Sequence, residues 1–134
     1  MSVLVVCVDV SDGGNRDGSG EAQYIVGQEE IESLVFIVGQ EDPENSQVNC
    51  LLEALKVTKE LENAGEEVEV AIVSGRAGAM ISDSSKSLAR QLDLLIDEVK
   101  PDSAILVIGS IEEERLIPIL ESRIRIDAVD RVIV

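Results

Sequence analysis

The chain has 134 residues, a length that suits one domain with a single hydrophobic core. Its 27 acidic and 11 basic residues give a formal net charge of −16, which disfavours binding to nucleic acid and to anionic lipid. Tyr24 and Phe36 are the only aromatic residues, so the composition excludes the base-stacking platforms of proteins that bind single-stranded nucleic acid.

The charge composition also predicts the environment in which the protein works. Only four of the basic residues are lysines, and acid-rich, lysine-poor domains suit a cytoplasm at molar salt, where the Debye length is about 3 Å. We therefore expect a halophilic source, with an acidic mesophilic protein as the alternative. The chain start has no basic segment of a signal peptide, and no stretch approaches the roughly 18 apolar residues of a membrane helix.

Histidine is absent, which removes the commonest general base and the commonest metal ligand. The two cysteines, Cys7 and Cys50, fall in a predicted strand and on the apolar side of a predicted helix. We expect both to be buried free thiols in a reducing cytosol rather than a disulfide.

Four short runs of β-branched and aliphatic residues, at 3–8, 68–73, 104–108 and 129–134, predict strands. None alternates apolar with polar residues, so each is expected to be covered on both faces, as in a parallel sheet between helices. Helices are predicted between the strands, from Glu29 to a cap at Gly39, from Ser46 to a cap at Gly65, and before the third strand. Pro118 should split a fourth helical segment, over residues 111–119.

This pattern predicts a single domain over residues 1–134. The fold class is α/β: a three-layer α/β/α arrangement with a four-stranded, mostly parallel sheet in the flavodoxin-like or Rossmann-like order 2-1-3-4. The topological switch point then lies between strands one and three, beside Asp9 and Gly109, and ligands bind such sheets outside the carboxyl ends of the strands.

The predicted ligand site consists of residues that follow the first three strands. The glycine loop after strand two precedes a helix, whose N-terminus can bind an anion, although the loop lacks the GK[ST] ending of a Walker motif. The residues are Asp9, Asp12, Gly75, Gly78, Gly109 and Ser110.

Acidic side chains near the same edge predict a magnesium site made of Asp9, Asp12, Asp42 and Glu44, because Mg²⁺ prefers a few carboxylate oxygens. The structural alternative is that Asp12 forms a turn and Asp9 caps the strand end. A receiver-type phosphoacceptor site would also need an aspartate after strand three, where Gly109 stands.

Four segments resemble the archaeal family known as domain of unknown function 373. They are Cys7–Val8–Asp9; residues 42–49; Ser82–Asp83 with Lys86, Ala89, Gln91, Leu92 and Asp93; and Pro118, Ser122, Arg123, Ile126, Asp127 and Val129. The family pattern around residues 42–49 reads D-P-E-D-S-D-x-N. This chain has Asn45 and Gln47 in place of two of those acids, and Gly109–Ser110 where the family tends to have Asp-Gly.

The resemblance implies a soluble N-terminal domain on the cytoplasmic side of an archaeal membrane protein, with the membrane domain of the same longer protein as its partner. On that basis we expect a non-catalytic domain that senses a small-molecule ligand or interacts with itself as a homo-oligomer. The alternative is a Mg²⁺-dependent enzyme that acts on a phosphorylated small molecule or nucleotide, using Asp9, Asp12, Asp42 and Glu44.

Overall fold

A computed structural model describes residues 2–9, 24–42, 46–74 and 81–132 of the chain, apart from the side chains of 46 and 81–85. Strands and helices alternate over these ranges, as the sequence predicts. In chain order the elements are β1 (Ser2–Asp9), β2 (Ile25–Val26), α1 (Gln28–Glu41), α2 (Ser46–Asn63), β3 (Glu67–Ser74), α3 (Ile81–Val99), β4 (Ser103–Ile108), α4 (Ile111–Glu114), α5 (Ile117–Glu121) and β5 (Ile126–Arg131).

The strands form one sheet in the order β2-β3-β1-β4-β5. β1 lies at its centre and pairs in parallel with β3 and with β4, and β4 pairs in parallel with β5. The predicted α/β class and the parallel pairings are confirmed. The prediction of four strands is wrong, because β2 pairs antiparallel with β3 and adds a fifth strand at the edge.

Both errors in the strand prediction lie at the sheet edges. β2 contains only Ile25 and Val26, a pair too short to give a periodic signal. β5 covers Ile126–Arg131 rather than residues 129–134, and it is half-exposed instead of covered on both faces. The predicted run at 129–134 already contains Asp130 and Arg131 and overlaps only the second half of β5. A strand at the sheet edge has an exposed face and mixes polar with apolar residues, so an apolar run is a poor guide to its bounds.

Helices cover both faces of the sheet and make two hydrophobic cores. On one face, side chains of β1, β3 and β4 pack against α3, α5 and the turn before α5, with Leu88, Leu92 and Leu120 fully or almost fully buried. On the other face, Val5 and Val70 pack with residues of α1 and α2. The three layers therefore enclose β1, β4 and the second half of β3, which explains why these stretches contain almost no polar residue at their centres.

Two of the three helix boundaries that glycine and proline residues predict are found in the structure, and one is not. Gly65 follows α2 with a positive φ of 90°, as a glycine cap requires. Pro118 lies in the first turn of α5, so the predicted split of segment 111–119 is confirmed. Gly39 does not end α1, which continues to Glu41.

Candidate functional site

The switch point of the sheet lies between β1 and β4. The chain leaves β1 towards β2 and β3 on one side of the sheet, and it leaves β4 towards β5 on the other. The last residue of β1, Asp9, and the first after β4, Gly109, therefore lie at neighbouring strand ends. The structure brings together the two residues that the sequence places at the switch point, and their role in ligand binding stays a prediction.

The Asp9 side chain is buried and hydrogen-bonded to the start of α2. Its residue is 7% exposed, and its Oδ2 accepts a hydrogen bond of 2.6 Å from Nε2 of Gln47, which is itself buried. The amide therefore satisfies one oxygen of a carboxylate that would otherwise be costly to bury. Gln47 is one of the positions where the family pattern has an acid.

Ser110 and Glu113 form a capping box at the start of α4. The Ser110 hydroxyl accepts from the Glu113 backbone N–H at 3.3 Å and donates to Glu113 Oε2 at 2.5 Å. The other carboxylate oxygen of Glu113 accepts from the Gly109 backbone N–H at 3.2 Å. The S-x-x-E spacing thus fixes the turn between β4 and α4.

The Glu113 carboxyl lies close to the other acid of the switch point. Burial raises its pKa most, and the nearby charges of Asp9 and Glu112 raise it further. The hydrogen bonds from Ser110 and Gly109 act in the opposite direction, because they favour the charged form. Two buried carboxyls from different elements therefore face one small region of the carboxyl edge.

Gly109 is required by a close approach between β4 and α2. A Cβ at this position would lie 2.6 Å from Sγ of Cys50, well inside van der Waals contact. Cys50 and Cys7 are buried free thiols, as predicted, and the Cys7 thiol donates to the Cys50 carbonyl at 3.5 Å. Burial and the neighbouring carboxylates of Glu113 and Asp9 raise the pKa of Cys50 to about 11, so it is protonated at neutral pH.

The last residue of β3, Ser74, is in register with Asp9 of β1, and a side chain bonds its backbone beyond the end of β2. Gln91 of α3 is completely buried, accepts from the Ser74 backbone N–H at 2.9 Å and donates to the Ser74 carbonyl at 2.6 Å. This pair of bonds satisfies the backbone of Ser74, which β2 does not reach. It fixes where the chain leaves the sheet before the predicted glycine loop.

A cleft of about 280 Å³ opens beside the capping box. Its apolar lining includes Ile111, which is 70% exposed, and its polar lining includes an ion pair between Arg131 and Glu114. The remaining lining residues are Ile108, Gly109, Ser110 and Val132. The cleft therefore lies at the carboxyl ends of β4 and β5, next to the switch point, and Asp9 is not among its lining residues.

The other predicted site residues are only partly within the described ranges. Asp42 is exposed and lies directly after α1, where its backbone N–H bonds the Val38 carbonyl at 2.9 Å. The predicted ligand and metal residues Asp12, Glu44, Gly75 and Gly78 lie outside the described residues. Within the described ranges, no group of three or more acidic or cysteine side chains could hold a metal ion.

Three residues of the site were not predicted from the sequence. Glu113 could have been found from the S-x-x-E spacing that begins at Ser110. Gln47 and Gln91 reach partners 38 and 17 residues away, and no local pattern identifies such contacts.

The comparisons identify the family. The model of the family described as "Domain of unknown function (DUF373)" matches residues 2–134, so the chain belongs to this family. An uncharacterised protein of Archaeoglobus fulgidus is 39% identical over 98% of the chain, and one of Methanocaldococcus jannaschii is 33% identical over 90%. No solved structure gives a significant match.

These relatives are much longer than the chain. The chain spans 38% of the length of the first relative, and its match covers 32% of the second. Among the described helices, none is long and apolar enough to cross a membrane.

Proposed function

We propose that this member of the archaeal DUF373 family is a ligand-sensing or interaction domain on the cytoplasmic side of a longer membrane protein, and that it catalyses no reaction itself. The small-molecule ligand binds at the carboxyl edge of the sheet, in the cleft at the start of α4, next to the strand end that carries Asp9. The position of this edge at the switch point supports the location of the site.

The hydrogen bond between Gln47 and Asp9 is the observation that carries this proposal. A metal-dependent enzyme of this architecture needs carboxylate oxygens that are available to the cation. Here one oxygen of the buried aspartate accepts from an amide, at a position where a second acid would have made a pair of metal ligands. Ser110 and Glu113 likewise bond each other, as a capping box does.

The cleft beside α4 supports the binding of a small molecule. Its volume of about 280 Å³ is close to the lower limit of about 300 Å³ for small-molecule pockets. Exposed Ile111 offers apolar contact, and the Arg131–Glu114 ion pair offers both signs of charge at the rim. A ligand that combines an apolar part with a polar group fits this lining.

The longer protein enters the proposal through the relatives, which extend well beyond the match. In this arrangement, ligand binding at the carboxyl edge shifts the populations of two conformations of the domain. The membrane part of the protein then responds to that shift. Limited proteolysis of the longer protein in right-side-out vesicles tests the location, because a cytoplasmic domain is protected until the membrane is opened.

Calorimetric titration with common nucleotides, in the absence of metal, tests the ligand site. We expect saturable binding of at least one compound to the wild type, unchanged compound after incubation, and loss of binding in Ile111→Asp. An aspartate at the first position of α4 suits the helix dipole, so this variant should fold. Leu94→Asp changes a half-exposed leucine on α3 and is the matched control. Equal binding by Ile111→Asp would place the ligand elsewhere.

A second candidate function is a Mg²⁺-dependent enzyme that acts on a phosphorylated small molecule or nucleotide. The observation that favours it is the proximity of two buried acids, Asp9 and Glu113, whose charges interact at the switch point. Under this alternative, Mg²⁺ binds the wild type and a phosphorylated compound is converted only when the metal is present.

A further inference from the structure

The outward face of α1 and α2 carries an apolar patch that nothing in the described part of the chain covers. Phe36 is 66% exposed, Ile37 48% and Leu52 49%, and these are three of the five large apolar side chains that are exposed among the described residues. Exposed apolar side chains that cluster on one face mark an interaction surface more often than single ones do.

Charged residues border this patch in two separate stripes. α1 and α2 lie side by side and antiparallel, with the Gln28 amide at the start of α1 bonded to Glu62 near the end of α2 at 3.0 Å. The first half of α1 exposes Glu29 and Glu32, at helical spacing from Phe36. The second half of α2 exposes Lys56 and Lys59 at the same level.

Lys56 and Lys59 follow Leu52 at spacings of four and seven residues, so all three share the outward ridge of α2. They are two of only four lysines in a chain with a net charge of −16. Among the described residues, no ion pair involves either lysine. The outward ridge of α2 therefore exposes two lysines, although Glu60 and Glu62 are exposed on the same helix. The facing half of α1 exposes Glu29 and Glu32, and the apolar side chains Phe36, Ile37 and Leu52 lie towards the other end of the two helices.

Gly39 is a second, independent observation on the same surface. It lies inside α1, where glycine destabilises a helix by roughly 1 kcal/mol relative to alanine. No atom lies within 4 Å of the position that a Cβ would take, and the residue has no positive φ. Nothing within the described chain requires a glycine there, but a second molecule that packs closely beside Phe36 would.

We propose that this face is the interface of a homodimer. A two-fold axis along the groove between α1 and α2 places α1 of each copy over α2 of its partner. Phe36 then meets the partner's Leu52, and Glu29 and Glu32 meet the partner's Lys56 and Lys59. Each contact occurs twice, as an isologous interface requires.

The expected affinity is modest. The 14 residues of α1 are about 21 Å long, and helices pack about 10 Å apart, so the face is roughly 20 Å by 20 Å. Such a face corresponds to about 400 Å² on each copy, or about 800 Å² in total, which is below the roughly 1,000 Å² of a stable interface and in the range of weak, transient ones. The net charge of −16 on each copy adds repulsion, which is reduced at about 0.15 M salt, where the Debye length is about 8 Å. We therefore expect a dissociation constant in the micromolar range.

Sedimentation equilibrium of the 134-residue chain from about 5 to 200 μM tests the proposal. We expect a monomer–dimer equilibrium in the wild type and loss of the dimer in Phe36→Glu. The control Leu94→Glu changes a half-exposed leucine on α3 and should leave the dimer intact. Gly39→Gln should dissociate the dimer while thermal stability holds or rises, because glutamine favours the helix. A monomeric wild type, or a dimer that survives both interface variants, overturns the proposal.

A charge exchange tests the orientation of the two copies. A chain with Lys56→Glu and Lys59→Glu carries acids on both helices, and a chain with Glu29→Lys and Glu32→Lys carries lysines on both. Each variant alone should be monomeric, with a wild-type circular dichroism spectrum, and the equimolar mixture should form a heterodimer. A mixture that stays monomeric, while the wild type dimerises, overturns the proposed two-fold arrangement.

Discussion

Replacing Gly109 by alanine tests how closely the end of β4 approaches α2. The added Cβ would lie 2.6 Å from Cys50 Sγ and 3.8 Å from the Val132 carbonyl oxygen. Gly109 has no positive φ, so the backbone itself accepts alanine and the cost arises from the contact with sulfur. Overpacking of this kind destabilises a protein by about 1–3 kcal/mol, and we expect Gly109→Ala to lower the free energy of unfolding by that amount.

The double variant Gly109→Ala/Cys50→Ala separates this contact from other effects. Cys50→Ala removes the sulfur that the new methyl group meets, and it keeps the Cys50 carbonyl that accepts from the Cys7 thiol. In the Cys50→Ala background the added methyl group should therefore cost less than about 0.5 kcal/mol, which corresponds to a coupling energy of roughly 1–2 kcal/mol.

Urea unfolding of the four proteins, followed by circular dichroism, measures this coupling. If Gly109→Ala costs the same with and without Cys50, the close contact between the strand end and the helix is not the reason for the glycine. A ligand role for Gly109 is tested separately, because it would reduce binding without requiring a loss of stability.

Four further predictions concern the remaining polar and charged features. Burial raises the pKa of Glu113 in the folded state, so stability should fall as pH rises from its ordinary value through the raised value. Glu113→Gln, which can keep the capping box, should show a smaller fall in urea titrations across pH, and parallel profiles would refute the assignment. Gln91→Leu removes the two hydrogen bonds from Gln91 to the N–H and C=O of Ser74 and should lower the free energy of unfolding in urea by about 2–4 kcal/mol. A decrease below about 1 kcal/mol would contradict a stabilising role for these two bonds. Cys7 and Cys50 should react with a thiol reagent only upon unfolding, because both are buried and raised in pKa, and rapid labelling of the native chain would contradict this. The melting temperature should rise between about 0.1 M and 2 M KCl as the charge of −16 is screened, and a flat profile would argue against a halophilic adaptation.

The central part of the fold was predictable because burial dictates its sequence. β1, β4 and the second half of β3 are enclosed by helices on both faces, and each therefore appears as an apolar run. The edges were not predictable in the same way. β2 gains its partner from β3, more than 40 residues later in the chain, and its two residues contain no periodic signal.

The site was predictable in position but not in its contacts. The rule that ligands bind at the carboxyl ends of strands brings Asp9 and Gly109 to the same edge. Whether the Asp9 carboxylate is available depends on Gln47, which the fold brings from the start of α2. Such long-range pairs arise from tertiary packing, and a single sequence contains no signal for them.

The central claim is that Gln47 leaves Asp9 unable to serve a metal-dependent reaction. Calorimetric titration of Mg²⁺ into the wild type and into Gln47→Asp, followed by a phosphate-release assay with nucleotides, tests it most directly. The claim predicts no saturable Mg²⁺ binding and no phosphate release by the wild type, and a gain of Mg²⁺ binding in Gln47→Asp, which pairs two carboxylates at the end of β1. Saturable Mg²⁺ binding with nucleotide turnover by the wild type would contradict it and support the enzyme.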